Sequence, residues 1–274
     1  MKRTKNLGGR LYLLLLLVIV LVPFYWMVAT SLKSNAEVAM TPSTLYPHSV
    51  HLDNYLKALQ VAPFLRYFLN TVIVAAAVVS ISAVVSISAA FAYARLEFPG
   101  RDLLFFLTLA TMMIPQEMLI ITNFKTIAAW GWMNTYQALI VPYCINASHI
   151  YLMRQNMKQI PHELYIAARI DGLSNFRFLL KVVIPQVKSA IFTTMLLSMI
   201  WIWNIFAWPN LVTTNDSLRL ISNGLKNAFT QASGEVAYEL QMAAATMVTV
   251  PLIIVFVLFR KYILSGMTKG GIKG

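Results

Sequence analysis

The chain has 274 residues, of which 58% are hydrophobic and only 12% are charged, and its mean hydropathy is +0.66. Soluble domains carry roughly 25% charged residues, so this composition excludes an ordinary soluble domain and predicts an all-α integral membrane protein. The formal net charge of +12 does not indicate nucleic-acid binding, because the 22 Lys and Arg residues are dispersed between apolar runs. The single cysteine, Cys144, excludes an internal disulfide and a thiolate cluster, and no metal site is predicted.

Six apolar segments are long enough to cross about 30 Å of hydrocarbon as helices. The first follows a basic N-terminal stretch and continues past the roughly 7 to 15 apolar residues of a secretory signal. It has no small-residue cleavage site at its end, so we predict that it remains as a span. The predicted spans, within a single transmembrane domain over 1–274, are 11–30, 68–93, 103–123, 135–153, 189–208 and 240–262.

The basic residues divide unevenly between the segments that connect these spans. If the N-terminus lies inside, 16 of the 22 Lys and Arg residues fall in inner segments. The residues in outer segments are Lys33, Lys57, Arg66, Lys125, Arg219 and Lys226. Because cytoplasmic segments collect basic residues, we predict that both termini are cytoplasmic and that 161–185 is a cytoplasmic loop.

Small residues line one face of the second predicted span. Ser82, Ser86, Ala90 and Ala94 recur every four positions, which places them on the same side of a helix. Residues of this size let helix backbones approach closely in lipid. The pattern therefore predicts packing against neighbouring helices of this chain or of a partner.

Four side chains in the later spans are candidates for a translocation cavity: Glu117, Asn146, Trp203 and Asn204. An intramembrane carboxylate such as Glu117 is costly unless it faces protein or water. Aromatic rings stack on the apolar faces of sugars and amides bond sugar hydroxyls, so the other three suit a sugar site. The alternatives stay open, since Glu117 can pair with another helix or reach the interface, and Asn146 can bond a neighbouring helix. Trp208 is expected to be an interfacial anchor.

The longest polar stretch between two apolar segments is 161–185. Pro161 suits the start of a helix, and Glu163 places negative charge in its first turn. Gly172 fits the left-handed position that ends a helix, and Ser174 can cap a second one. The pattern predicts a helix, a turn and a second helix, with an ordinary solvated loop as the alternative.

The sequence contains no G-x-x-x-x-G-K-[ST] phosphate loop, no H-E-x-x-H and no G-x-S-x-G. We therefore predict that this chain is not an enzyme and has no catalytic residues. Energy for uphill transport would come from another subunit or from an ion gradient. Ion-coupled carriers usually show buried acidic residues and internal repeats, whereas this sequence shows one candidate acid and no obvious repeat.

The 161–185 stretch resembles the cytoplasmic EAA loop of permease subunits of bacterial ABC importers, in which a pattern like EAA-x-x-DGA leads to a hydrophobic residue and a proline. The corresponding residues are Ile166, Ala167, Ala168, Asp171, Gly172, Leu173, Ile184 and Pro185. The segments PFYWMVATSLKS, AFAYARLEFPGR, WNIFAWPNLVTT and GMTKGGIKG look like the carbohydrate-uptake branch. They look most like the six-span subunit of maltose-type transporters, which implies six transmembrane helices with a cytoplasmic helix-turn-helix coupling loop.

The resemblance implies a transmembrane subunit of an ATP-driven importer for a sugar or sugar-like solute, in the bacterial cell membrane. The implied partners are a homologous permease subunit, two ATPase subunits, an external solute-binding protein and membrane lipid, and no nucleic acid. ATP and Mg belong to the ATPase subunits, and no cofactor is expected in this chain. An ion-coupled secondary carrier or a channel subunit is the alternative.

The resemblance also implies two sets of contacts with the ATPases. The coupling set is Glu163, Ile166, Ala167, Ala168, Asp171 and Gly172, and the tail set is Lys269, Gly270, Gly271 and Gly274. Ile166 replaces the glutamate that gives the loop its name, and Glu163 lies three residues earlier on nearly the same helix face. Ala167 and Ala168 are expected to offer a surface of little bulk that seats the helix in a cleft, with Gly172 as the hinge.

Overall fold

The computed structural model describes residues 7–229 and 236–268. That part of the chain is helical and contains no β-strand, which confirms the predicted all-α class. The helices are α1 (Leu7–Ser31), α2 (Asn35–Val38), α3 (Asp53–Val61), α4 (Phe64–Arg95), α5 (Arg101–Thr111), α6 (Gln116–Ala129), α7 (Tyr136–Ile140), α8 (Ala147–Lys158), α9 (His162–Ile170), α10 (Asn175–Phe178), α11 (Ile184–Asn204), α12 (Ala207–Val212), α13 (Ile221–Ala228) and α14 (Tyr238–Thr268). Short 3₁₀ turns follow α7 and precede α13.

Four helices among the described residues are long and apolar enough to cross a membrane. They are Gly8–Ser31, Phe64–Arg95, Asn175–Asn204 and Tyr238–Leu258. The bent pair α5 and α6 makes a fifth crossing if it is counted as one span. The fourth predicted span, 135–153, falls on the short helices α7 and α8. The chain is thus a multi-pass membrane protein, and the count of six spans stays a prediction.

The third predicted span, 103–123, is divided between two helices whose axes differ by 95°. α5 ends at Thr111, and Pro115 immediately precedes α6 with an extended backbone, φ −61° and ψ 129°. Proline has no N–H to continue the hydrogen-bond ladder and disfavours helical geometry in the residue before it, which explains the break. Glu117 consequently lies in the first turn of α6, where the helix dipole favours a carboxylate.

The described residues form two compact units. The first contains 7–64, 224–229 and 236–254, and the second contains 65–223 and 255–268. The second unit holds α5 to α12, nearly all of α4 and the whole of the predicted loop 161–185. The candidate sites described below therefore all lie in the second unit.

Buried polar side chains fix the segment after α1 in the first unit. The Glu37 carboxylate is 4% exposed and accepts hydrogen bonds from Thr44 Oγ1 at 2.9 Å and from the His48 backbone N–H at 3.0 Å. Burial acts to raise the pKa of Glu37, but its hydrogen bonds with His48 and Thr44 outweigh burial and lower that pKa. Lys33 is also buried, donates to the Thr44 carbonyl and lies 4.9 Å from the centre of the Trp26 ring.

Two apolar clusters hold the second unit together. The first cluster is Val74, Ala75, Val78, Ile127, Ala138, Leu139, Ile202, Trp208, Val212 and Leu220. The expectation that Trp208 anchors the chain at the membrane interface is not met, because this side chain is 3% exposed and its indole N–H donates to the Ala138 carbonyl at 2.8 Å. Burial of a large ring with its one donor satisfied explains its place in the core.

The second cluster lies where α4, α8, α9 and α11 meet. Its members are Ala90, Phe91, Met153, Met157, Ile160, Ala168, Phe178, Leu179, Val183 and Val187. The predicted small-residue face of α4 is confirmed as a packing face within this chain, because Ser82, Ser86 and Ala90 are buried and Ala94 packs against the cluster. Small side chains at this spacing allow the close approach of the neighbouring helices.

A π-helical turn, Leu179–Val183, joins α10 to α11 without a break in the helix. Pro185 follows in the first turn of α11 and has no N–H to donate to the carbonyl of Lys181. A π-helical turn accommodates the hydrogen bond that the proline cannot form. The loop 161–185 is therefore continuous with a long apolar helix, so a displacement of one end reaches the other.

Candidate functional site

The predicted helix-turn-helix of 161–185 is confirmed, and we call residues 162–178 the α9–α10 hairpin. α9 begins at His162, so Pro161 stands one residue before the helix and not at its first position. Glu163 lies in the first turn, and Gly172 has the expected positive φ, +76°. The Ser174 hydroxyl caps α10 by accepting a hydrogen bond from the Arg177 backbone N–H at 3.3 Å.

Two backbone hydrogen bonds close the turn of the hairpin. The Leu173 N–H donates to the Ala168 carbonyl at 2.9 Å, and the Gly172 N–H donates to the Arg169 carbonyl at 3.1 Å. This pair of bonds is the Schellman motif, which needs a left-handed residue at the position of Gly172. A Cβ added at Gly172 would meet no atom within 4 Å, so the backbone angle alone disfavours other residues there.

One face of the hairpin is fixed to the second cluster. The Tyr165 hydroxyl donates to the Asn175 carboxamide oxygen at 2.9 Å, which joins α9 to α10. The Tyr165 ring lies edge-on against the ring of Phe178, with centroids 5.2 Å apart and planes at 67°. Phe178 is fully buried and lies 6.3 Å from the ring of Phe91 on α4.

Ala168 corrects part of the expectation for the coupling set. We expected Ala168 to present a surface of little bulk to a partner, but it is 7% exposed and packs in the second cluster. It faces inward because α9 needs a small residue where it lies against α10 and α4. Ala167 is exposed, as expected.

The opposite face of the hairpin is exposed and partly apolar. Ile170 is 81% exposed and Phe176 is 67% exposed, and Leu164 and Ile166 are also exposed. Glu163, Ala167, Asp171 and Gly172 are exposed on the same short segment. We call these eight residues the hairpin face. Grouped exposed apolar side chains of this kind are typical of an interaction surface.

Two arginines tie the base of the hairpin to the long helices. Arg95, at the end of α4, donates to the carbonyl of Met157 at 2.6 Å and also to that of Ile160. These carbonyls belong to the last turn of α8 and the link to α9, and the Met157 carbonyl has no α-helical donor because residue 161 is proline. Arg154 on α8 donates in return to the Tyr93 carbonyl on α4 at 3.3 Å. From the sequence alone, both arginines are read only as topology signals.

A cavity of about 270 Å³ lies between α4, α8 and α11. Its lining is Val78, Ser82, Gln116, Tyr143, Ile145, Asn146, His149, Leu197, Ser198, Trp201 and Ile202. A second cavity of about 150 Å³ shares Gln116, Tyr143 and Trp201 with the first. The rest of the second lining is Glu117, Leu119, Ile120, Asn123, Pro142, Ile205, Ala207 and Trp208. The two cavities thus meet at an amide and an aromatic pair.

Hydrogen bonds position two of the polar side chains that line the larger cavity, Asn146 and His149. The Asn146 carboxamide oxygen accepts from the His149 backbone N–H at 3.2 Å and caps α8. The His149 ring lies between two hydroxyls, 3.5 Å from Ser82 Oγ and 3.4 Å from Ser198 Oγ. These distances are at the long limit of hydrogen bonding.

Two of the four candidate cavity residues line a cavity and the other two do not. Glu117 lines the smaller cavity and Asn146 lines the larger one. Trp203 is 4% exposed, lies edge-on to the Phe68 ring at 5.6 Å, and lines neither cavity. Asn204 is exposed, donates to a carbonyl of its own helix at 2.7 Å, and lines neither cavity.

The lining residues Gln116, Tyr143, His149 and Trp201 are absent from the candidate set. Trp201 follows Leu197 and Ser198 at helical spacing and shares their face of α11, but the spacing alone does not tell which face lines the cavity. Trp203, two residues later, points to another side of the helix.

The tail set Lys269, Gly270, Gly271 and Gly274 lies outside the described residues. No group of three or more His, Cys, Asp or Glu side chains suited to a metal occurs in 7–229 or 236–268.

Several membrane-crossing helices, an open cavity lined by amides and aromatic rings, and an exposed apolar hairpin are together typical of a membrane transport subunit. Residues 82–269 match the family described as the binding-protein-dependent transport system inner membrane component, and the chain belongs to this family. The resemblance to permease subunits of ABC importers is thereby confirmed.

Relatives match nearly the full length of the chain. It is 35% identical over 265 residues to the trehalose/maltose transport system permease protein MalG of Thermococcus litoralis, covering 95% of this chain and 94% of that one. It is 31% identical over 271 residues to the sn-glycerol-3-phosphate transport system permease protein UgpE of Brucella abortus, covering 96% of each. The chain is thus a permease subunit of an ABC importer.

The fold also matches a chain in the crystal structure of a bacterial ABC transporter involved in the import of the acidic polysaccharide alginate. The TM-score is 0.83 at 24% sequence identity, and the match covers 96% of this chain and 98% of that chain. At this identity the likeness shows the fold alone. Since these proteins differ in the charge of what they carry, the solute of this chain has to be argued from its own residues.

Proposed function

We propose that this permease imports a sugar or sugar-like solute together with a homologous permease subunit, two ATPase subunits and an external solute-binding protein. In this proposal the chain lies in membrane lipid of a bacterial cell, and both termini and the α9–α10 hairpin are cytoplasmic. ATP and Mg bind the ATPase subunits. The observation that carries the proposal is the hairpin, which is fixed on one face and exposes apolar side chains on the other.

The hairpin face is suited to dock in a cleft of the ATPase. Ile166 and Ile170 lie one helical turn apart on α9, and both are exposed, so apolar contact supplies the affinity at this site. Ile166 stands where the family's loop has a glutamate, and Glu163 provides a carboxylate one turn earlier. A basic side chain of the partner would therefore meet Glu163 and not residue 166.

Closure of two ATPases on ATP would displace the docked hairpin. The displacement passes to α4 through Ala168 and Phe178, which pack in the second cluster, and through the Arg95 hydrogen bonds at the end of α8. α10 continues into α11 through the π-helical turn, so the same movement reaches the helix that carries Trp201. Packed elements of this kind move as rigid bodies and switch between discrete arrangements.

The tail residues Lys269, Gly270, Gly271 and Gly274 are proposed as a second contact with the ATPase pair. The support is the likeness of GMTKGGIKG to the carbohydrate-uptake branch. Deleting 268–274 is expected to leave membrane insertion intact and to reduce uptake by the assembled complex. Undiminished uptake in the truncated complex would remove the tail from the mechanism.

The import function is tested by reconstituting the permease with and without its partner subunits. ATP hydrolysis and solute uptake are expected only in the assembled complex, and the external binding protein is expected to stimulate both. Uptake that collapses with the proton gradient while ATP persists would favour the secondary carrier. Uptake by the permease alone would favour a carrier or a channel.

The proposed orientation has its own test in a Cys144→Ala background. Arg169→Cys lies on the exposed hairpin, and Ser233→Cys lies in the predicted outer segment before α14. In intact cells an impermeant thiol reagent is expected to label position 233 and not position 169. The opposite labelling pattern would invert the topology and remove the hairpin from the cytoplasm.

A further inference from the structure

The side chains that line the larger cavity favour one class of solute, neutral sugars, over anionic ones. We propose that Gln116, Asn146, His149 and Trp201 contact the transported solute directly and that their cavity selects an uncharged sugar over an anionic one. This inference rests on the proposed import function and names the kind of solute at that site. An aromatic surface, unused amide donors and the lack of charged side chains among the described lining residues support it.

Trp201 supplies a stacking surface. It is 46% exposed although it lines the cavity, so a broad part of its indole is open to contact. The ring of Tyr143 lies 4.8 Å from it at 70°, an edge-to-face arrangement that fixes the indole on one side. An open, braced aromatic face suits the apolar C–H face of a pyranose ring.

Amide and imidazole groups surround this aromatic surface. Asn146 uses its oxygen to cap α8, while among the described residues its NH₂ group makes no hydrogen bond, and neither does the Gln116 carboxamide. The His149 ring makes only the long contacts with Ser82 and Ser198. These groups can donate to or accept from sugar hydroxyls with little loss of existing bonds.

Among the described residues, the lining of the larger cavity includes no Lys, Arg, Asp or Glu. A phosphate or carboxylate that leaves water here would meet no fixed positive charge, which makes its transfer costly. The adjoining smaller cavity adds the carboxylate of Glu117, which repels an anion. Of the described residues that line the larger cavity, only His149 has a side chain able to become cationic. A neutral sugar needs only the hydrogen bonds that the lining offers.

The volume of the space in this chain indicates how much of a solute it can hold. About 270 Å³ is just below the roughly 300–1,000 Å³ of most small-molecule sites and suits a single sugar ring. The smaller cavity, about 150 Å³, joins it at Gln116, Tyr143 and Trp201 and offers room for part of a second ring. The cavity pair therefore suits a monosaccharide or a disaccharide.

The inference is tested in proteoliposomes that contain the complete complex with its external binding protein. The probes are radiolabelled maltose and trehalose as neutral sugars, and sn-glycerol 3-phosphate and galacturonate as anionic solutes. ATP-dependent uptake of a neutral probe is expected, with uptake of the anionic probes at least tenfold lower. Preferential uptake of an anionic probe would overturn the charge argument while leaving the import function intact.

Direct contact is tested by Trp201→Ala, which is expected to raise the KM for the neutral sugar roughly threefold to tenfold, from the loss of one aromatic contact. Trp201→Phe keeps a ring and should fall between parent and Ala. Gln116→Ala, at an exposed side chain, should raise the KM by roughly threefold or more even if the Trp201 variants assemble poorly. The matched control is Trp130→Ala, because Trp130 is 58% exposed and lines neither cavity.

The outcomes distinguish a failure of direct solute contact from a failure of the import function. An unchanged KM in both Trp201→Ala and Gln116→Ala, with import intact, would overturn direct contact by this cavity. A rise in KM in Trp130→Ala equal to that in Trp201→Ala would do the same, since it would show a general effect of losing a tryptophan. A parent complex with neither binding-protein-stimulated ATP hydrolysis nor uptake would instead refute the import function.

Discussion

The α9–α10 hairpin and the larger cavity are held together in different ways. In the hairpin, Leu173 and Gly172 close the turn with backbone bonds of 2.9 and 3.1 Å, and the Tyr165 hydroxyl adds a bond of 2.9 Å. In the cavity, His149 lies 3.4 to 3.5 Å from its two serine neighbours. These three bonds of the hairpin are of ordinary length, whereas the contacts of the His149 ring lie at the limit of hydrogen bonding.

This difference matches the work proposed for each region. A hairpin that transmits the closure of an ATPase has to keep its conformation while the ATPase moves it. Short hydrogen bonds and buried packing make it rigid. A cavity that takes up a solute and releases it has to exchange partners, and groups with weak existing contacts do so at little cost. Removing single contacts from each region, and measuring both thermal stability and the coupling of ATP hydrolysis to uptake, tests whether the two regions differ in this way.

The largest effect is expected for Arg95→Gln, at the base of the hairpin. Arg95 is 8% exposed and donates charge-assisted bonds to the carbonyls of Met157 and Ile160. Losing bonds of this kind costs about 1.5–3 kcal/mol, and α4 would no longer be tied to the end of α8. We expect a lower thermal midpoint for the complex and less solute moved per ATP consumed.

The matched control for Arg95 is Arg101→Gln. Arg101 bonds the carboxylate of Asp102, which is exposed, so its loss should cost little. If the two variants show equal uptake per ATP, the tie between α4 and α8 plays no part in coupling. If Arg95→Gln lowers the thermal midpoint alone, the arginine is structural only.

The second effect in size is expected for Gly172→Val. Gly172 holds φ +76° with free space around its Cβ position, so valine is disfavoured by backbone conformation alone, at roughly 1 kcal/mol or somewhat more. That cost does not unfold the membrane helices, but it opens the Schellman turn and tilts α9. We expect normal abundance of the permease, about fivefold to tenfold weaker retention of the ATPase, and less uptake per ATP.

Gly131→Val provides a control of the same backbone type. Gly131 has φ +70° and also has free space around its Cβ position, but it follows α6 and lies outside the hairpin. It should show a similar loss of stability with ATPase retention unchanged. Equal retention in both glycine variants and the parent would reduce Gly172 to an ordinary loop residue.

The two regions also differ in how far the sequence alone predicts them. The hairpin depends on Gly172 and Ser174, whose roles follow from backbone stereochemistry within a few residues, so its turn and cap are readable from the sequence. The cavity depends on which side of α11 faces inward. Trp201 and Trp203 are the same residue type in the same apolar run. Only the packing of α11 against α4 and α8 shows that Trp201 lines the cavity and Trp203 does not. The inward position of Ala168 was missed for the same reason.

A smaller effect is expected for Tyr165→Phe, which removes one hydroxyl from the hairpin and keeps the ring. The ring contact with Phe178 remains, and only the bond to Asn175 at 2.9 Å is lost. One such bond contributes about 0.5–1.5 kcal/mol. We expect a modest fall in the thermal midpoint and a partial loss of ATPase retention. Asn175→Ala should give the same result, and the double variant should add nothing, because both changes remove the same bond.

The smallest effect is expected for Ser198→Ala, which removes one of the hydroxyls beside His149. Ser198 is 9% exposed, and its contacts with the imidazole are 3.4 Å long, so the net loss should stay below about 0.5 kcal/mol. The substitution barely changes the side-chain volume, so no new void adds to the cost. The thermal midpoint of the assembled complex, measured beside that of Tyr165→Phe, tests this directly. Ser82→Ala, which removes a contact of 3.5 Å with the His149 ring, should lower the thermal midpoint equally little. A loss in either serine variant that exceeds the loss in Tyr165→Phe would show that the cavity is held as firmly as the hairpin, and the proposed exchange of partners by His149 would then have to be abandoned.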